Sequence, residues 1–115
     1  MKYEAPAPIS RDEAEKVFTH GSPPEIGEAL YRVTHHERDW EWVEKWCIKF
    51  CKNPDPSVRV VAVNCLGELA HIHRDKKLKR VIPVLKELLN DTPEVAYEAR
   101  GALEDLEIFL TPKSN

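Results

Sequence analysis

Glycine is scarce in this chain, four residues in 115, and no stretch alternates apolar with polar side chains as a half-buried strand would. That combination argues against a sheet and for an all-α chain. No apolar run approaches the roughly 20 residues needed to cross a bilayer, which excludes a helical membrane span. Cysteine is limited to Cys47, Cys51 and Cys65, an odd number with no CxxC pair, so neither a disulfide framework nor a thiolate zinc site is expected. A Gly-rich phosphate loop and a Ser/His/Asp arrangement are both missing. Neither sign of charge dominates: 17 Lys and Arg stand against 20 Asp and Glu, a net charge of −3. What is present is 42% apolar and 32% charged residues, outside the range of disordered chains. A chain of this length forms one domain that buries roughly two-thirds of its unfolded surface, enough for a core without metal or disulfides. The opening residues Met1 to Pro8 carry an acid and two prolines where a signal peptide needs an apolar stretch, so a cytoplasmic location is expected.

Apolar residues recur at helical spacing throughout. The first helix is expected over about 11–19, with Ser10 as N-cap, Glu13 completing a capping box and Gly21 after its end. A second starts near Pro24 and carries Ile26, Leu30 and Val33. A third begins at Asp39 and must stop before Asn53-Pro54-Asp55-Pro56. In that helix Glu41, Lys45, Lys49 and Lys52 make one narrow polar stripe, while Trp42, Val43, Trp46, Cys47, Ile48, Phe50 and Cys51 fill most of the remainder. Such a helix must be covered on more than one side, and Glu44, inside the apolar arc, needs a partner if it is buried. A fourth helix over about 57–73 places Val58, Ala62, Cys65, Leu66, Leu69 and Ile72 on one face. A fifth, about 78–89, is bent or started by Pro83. A sixth follows Asn90-Asp91-Thr92-Pro93 and carries Val95, Ala99, Ala102, Leu103, Leu106 and Phe109.

Laying Pro56 on Pro93 superposes Val58 on Val95, Ala62 on Ala99, Leu66 on Leu103 and Leu69 on Leu106, a repeat of 37 residues. Helix pairs at such a period stack into an α-solenoid. The pairs are expected at about 10–35, 39–73 and 76–110, between a tail of residues 1–9 and another of 111–115. The segment from Asn53-Pro54-Asp55-Pro56-Ser57-Val58-Arg59 through Ala62, Leu66-Gly67 and Leu69 closely resembles a HEAT repeat. Residues 91–106 are similar, with Ala96 in the place of the arginine and Glu104 in the place of Gly67. The resemblance implies a short right-handed α-solenoid of three HEAT-like hairpins. It also implies that Arg59 bonds an acid of the neighbouring repeat, and the loss of that arginine at Ala96 suits a terminal repeat.

Chemistry finds few footholds. Cys47 and Cys51 lie one turn apart with His35, His36, His71 and His73 elsewhere, a poor metal spacing, and all three thiols fall on apolar faces where nucleophilic reactivity is not expected. The run Arg74, Lys76, Lys77, Lys79, Arg80 reads as a solvated inter-repeat loop, because no aromatic residue is interleaved with it and the whole chain is acidic. Trp40, Trp42 and Trp46 read as packing, with Trp42 nearest the polar edge. No cofactor, metal, membrane or nucleic-acid partner is expected, and no catalysis.

A protein-binding surface remains. In HEAT proteins the second helix of each pair generally lines the concave side, which leaves Val60, Asn64, Gly67 and His71 on the fourth helix. On the sixth it leaves Tyr97, Arg100, Gly101, Glu104 and Ile108, with Asp105 beside them. Val60, Tyr97 and Ile108 are apolar or aromatic where exposure is expected, and tyrosine is a common interface anchor. Small free-standing HEAT-like proteins of this kind resemble the immunity proteins of contact-dependent or polymorphic toxin systems. That resemblance implies neutralisation of a toxin domain, often a nuclease, by a monomer or weak dimer. Glu94, Glu98, Glu104, Asp105 and Glu107 suit a basic toxin. The alternatives are a general HEAT adaptor and a subunit resembling the HEAT-like bilin lyases.

Overall fold

Three helices start with the same device, an oxygen-bearing side chain followed by proline: Ser22-Pro23, Asp55-Pro56 and Thr92-Pro93. The oxygen accepts a first-turn backbone N–H, from Glu25 at 3.4 Å, from Ser57 at 2.8 Å and from Val95 at 3.4 Å. Proline loses nothing there, because that N–H has no partner within the helix. The computed structural model describes residues 6–76 and 78–110, apart from the side chains of Asp75 and of residues 107–110. Among the described residues the chain is all-α: α1 (Arg11–His20), α2 (Pro23–His36), α3 (Trp40–Phe50), α4 (Pro56–Ile72), α5 (Val81–Leu88) and α6 (Pro93–Leu110), with a 3-10 turn at Arg74–Lys76.

The ends of these helices follow from local chemistry. At α1 the Ser10 hydroxyl accepts from Glu13 N–H at 3.1 Å, half of the expected capping box. The complete reciprocal box forms at α2, where Glu25 also accepts from Ser22 N–H at 2.8 Å. Gly21 closes α1 by close approach: a Cβ there would lie 2.7 Å from the Val17 carbonyl oxygen. Asp39 caps α3. Pro83 sits in the first turn of α5, where its missing N–H costs nothing, so it marks the start of that helix and does not bend it.

Hairpins α1–α2, α3–α4 and α5–α6 stack so that α2, α4 and α6 form one layer and α1, α3 and α5 the other, with α4 packed between α2, α3 and α6. Burial follows the repeat: Val58, Ala62, Leu66 and Leu69 on α4 and Val95, Ala99, Leu103 and Leu106 on α6 are all buried. The most enclosed helix is α4, not α3. On α3, Val43, Cys47 and Phe50 are buried, whereas Trp40, Trp42, Trp46 and Ile48 are half-buried. Phe18 of α1 covers part of that side, its ring 4.8 Å from Trp46 and 5.3 Å from Phe50. Glu44 is buried to 2% exposure and finds its partner on the next hairpin, at the start of α5, Arg80 Nε at 3.3 Å. Residues 6–9 lie along α2: Arg32 donates to the carbonyls of Ala7 at 2.9 Å and Pro8 at 2.7 Å, His36 bonds that of Pro6, and Ile9 packs on the core.

Candidate protein-docking face

The uncovered side of the α2–α4–α6 layer carries three adjoining hollows. One of about 300 Å³ runs between α4 and α6 and is lined by Asn64, Gly67, Glu68, His71, Glu98, Gly101 and Asp105, with Val63 and Ala102 at its base. A second lies between α2 and α4, lined by Gly27, Tyr31, Val61, Asn64, Cys65 and Glu68. A third is bounded by Val60, Pro93, Glu94, Tyr97 and Glu98. Asn64 and Glu68 belong to the first two and Glu98 to the first and third, so the hollows form one continuous relief.

Glycine sets its depth. A Cβ on Gly101 would meet no atom within 4 Å, and one on Gly67 would come no nearer than 3.7 Å to the Ala102 Cβ, so the floor is low because side chains are missing from it, not because backbones touch. Tyr97 stands beside the relief at 71% exposure. The charged residues lining the three hollows, Glu68, Glu94, Glu98 and Asp105, are all acids. Ion pairs among the described residues lie elsewhere: Arg11 with Glu37 and Asp39, Arg59 with Asp91, and Arg80 with Glu44.

Of the residues expected to bind a partner, Asn64, Gly67, His71, Gly101 and Asp105 come together in the α4–α6 hollow, and Val60 and Tyr97 in the adjoining one. Val60 is half-buried, packed on the core. Arg100 and Glu104 are exposed outside these hollows, and the Ile108 side chain lies outside the described residues. Sequence reasoning missed Glu68, although it lies one turn beyond Asn64. It also missed Tyr31 and Gly27, because the first hairpin carries no repeat motif from which to take a register.

The chemistry alternatives find no geometry. Among the described residues no three His, Cys, Asp or Glu side chains are grouped to hold a metal ion. Cys47, Cys51 and Cys65 are reduced and buried. A hydrogen bond to Cys65 and burial hold the Cys47 thiol well above the usual range, and burial pushes Cys51 up to about 12, so neither offers a thiolate. No described helix is long and apolar enough to cross a membrane.

The HEAT repeat model matches residues 47–73, the end of α3 through α4. No curated protein matches the chain. Among solved structures, a chain in the crystal structure of a CDI complex from Cupriavidus taiwanensis LMG 19424 is 34% identical, with a TM-score of 0.83 over 96% of this chain and 99% of that one. This chain is a HEAT-repeat protein of that chain's family. The repeat accounts for Arg59, which donates to the carbonyls of Asn53 at 2.7 Å and Pro54 at 3.1 Å and reaches Asp91 at 2.8 Å. That side chain ties the turn before α4 to the turn before α6 and holds the Asp91 carboxyl below the usual range. The HEAT protein has Ala96 at the corresponding place on α6, where no further repeat follows among the described residues.

Proposed function

We propose that this HEAT-repeat protein is an immunity protein: a non-catalytic, cytoplasmic monomer or weak dimer, with residues 10–110 as its single domain, that neutralises a cognate toxin by occluding its active or substrate surface. The observation that carries the reading is the match, along nearly the whole of both chains, to a chain of a CDI complex. A fold-wide match at 34% identity bears on function more than the local repeat does, since HEAT repeats serve many unrelated partners. Its contact surface is the face that carries Val60, Asn64, Gly67, His71, Tyr97, Arg100, Gly101, Glu104 and Asp105, where acids speed the approach of a cationic partner and orient it; Ile108, expected from the sequence to join them, has its side chain outside the described residues. The acids of this face suit a basic toxin, of which nucleases are one class.

The test is to co-express the chain with the candidate toxin domain taken from the product of the neighbouring gene. Growth arrest by that domain alone, relieved by the HEAT protein and accompanied by a stable complex on gel filtration, is the expected result. Arrest that persists with both proteins present and no complex formed overturns the reading.

A further inference from the structure

Helices α2, α4 and α6 each keep one face that no other described element covers, and those faces are not equivalent to ordinary solvated surface. Charged residues interspersed in both signs are the norm on a solvated helix face. Here the charged residues lining the hollows between the three helices are all acids, set among small, apolar and neutral polar side chains, with Tyr31 at the α2 side and Tyr97 at the α6 side. Glu98 is half-buried, and among the described residues no ion pair engages Glu68, Glu94, Glu98 or Asp105, whereas Glu37, Asp39, Glu44 and Asp91 on other faces are each paired with an arginine. A concave surface whose charged residues are all carboxylates carries a negative potential that draws in a cationic side chain.

We infer that the uncovered faces of α2, α4 and α6 form one docking surface, running from Tyr31 past Glu68 and Glu98 to Tyr97, for a lysine- or arginine-bearing segment of a protein partner. The assignment of that partner as a toxin rests on the function proposed above; the surface and the chemistry of its occupant do not. Glu68 is the centre, since it lines both the α2–α4 and the α4–α6 hollows, and sequence alone did not single it out. Cationic side chains of the segment descend over the glycine floor at Gly67 and Gly101 to reach Glu68, Glu98 and Asp105. The tyrosines supply flanking contact area with little conformational entropy to lose. Three helices at spacings of about 8–10 Å span about 16–20 Å. The occupant is therefore an element of about five or six extended residues, or about a dozen helical ones, and a single inserted side chain would leave most of the surface empty.

The double variant E68K/E98K and the control E13K/E87K change the net charge identically, but Glu13 and Glu87 lie exposed on α1 and α5 of the other layer. Two probes are used: an oligo-arginine peptide of ten residues, followed by amide chemical-shift mapping, and the candidate toxin domain of the neighbouring gene's product, followed by stopped-flow association. Peptide-induced shifts are expected to cluster on 64–68 and 98–105. E68K/E98K should abolish them and slow association of the toxin domain about tenfold or more, with the salt dependence largely lost, while the control stays within about threefold. Gly101→Leu guards against a folding artefact: it has open space and replaces glycine in a helix, so it should raise the melting temperature while filling the hollow and weakening both probes. Shifts scattered over α1, α3 and α5, or equal losses in the two double variants, would overturn the inference. A toxin domain that ignores the wild-type protein while the peptide still maps to the α2–α4–α6 face refutes the proposed function and leaves the docking surface standing.

Discussion

Cys51 behaves as a small hydrophobe. It is 2% exposed, and burial raises its pKa to about 12. Cys47 and Cys65 are equally enclosed, so native protein at pH 8 is expected to react with none of its three thiols on the minute timescale of a thiol-specific chromogenic reagent, and with all three after denaturation; a fast native thiol would show that α3 or α4 is misplaced. The same shift has a stability consequence. Above pH 9 the unfolded thiol loses its proton while the folded one keeps it, so the unfolded state binds fewer protons and stability falls as pH rises. One such group contributes a slope of up to about 1.4 kcal/mol per pH unit until pH nears 12. Urea melts between pH 8 and 11 would show the decline. Glu44 is the other buried group that matters. Burial raises its pKa and Arg80 opposes that rise, so removing Arg80 leaves a carboxylate stranded. Arg80→Ala should cost about 1–3 kcal/mol, and adding Glu44→Gln to it should recover most of the loss. A purely additive double mutant would mean the pair is not coupled.

At the scale of helices, the 37-residue register makes a direct stability claim. Leu66 and Leu103 occupy equivalent places in the repeat and are both buried, so Leu66→Ala and Leu103→Ala are each expected to cost about 2–5 kcal/mol, read from urea midpoints at unchanged slope. Leu66, fully enclosed on the central helix, should sit at the upper end, because its neighbours on three sides cannot collapse into the cavity. Arg59 links two turns through three hydrogen bonds, and Arg59→Ala should cost about 1–3 kcal/mol. Part of that contribution fades in acid. Asp91 has its carboxyl pKa lowered in the folded state, so the stabilisation is present above the carboxylate range and disappears as pH falls through it. The difference in stability between the wild type and Arg59→Ala should therefore narrow toward pH 3. A constant difference would assign the effect to the carbonyl bonds alone.

For the whole molecule, helix stacking with reduced, buried cysteines predicts a fold indifferent to EDTA and dithiothreitol; a large loss of helical circular dichroism under either would contradict it. The docking face should be separable from the fold. Tyr97, at 71% exposure, contributes little to packing, so Tyr97→Ala is expected to leave the melting temperature within about 2 °C while weakening partner binding about tenfold, equivalent to about 1.4 kcal/mol. A wild-type affinity retained by Tyr97→Ala would move the interface off the α6 end of the layer. Saturating partner should also raise the melting temperature, since it binds the folded chain alone.

Helix identity, helix ends and the repeat register were legible in the residues themselves, because capping oxygens, prolines and apolar spacing act over a few neighbours. Asp55-Pro56 and Thr92-Pro93 announce two helix starts before any tertiary contact forms, the start read near Pro24 proved to be Ser22-Pro23, and Val58, Leu66, Val95 and Leu103 declare which faces must be buried. Tertiary structure decided what depends on residues far apart in the chain. Glu44 found Arg80 on the next hairpin, and α4 became the enclosed helix although α3 is the more continuously apolar in pattern. Glu68 and Tyr31 joined the exposed face only when α2, α4 and α6 were laid side by side. A helix pattern specifies which direction a side chain points from its own axis. Which neighbour stands there, and whether three such faces make one surface, is set by the packing of hairpins against each other.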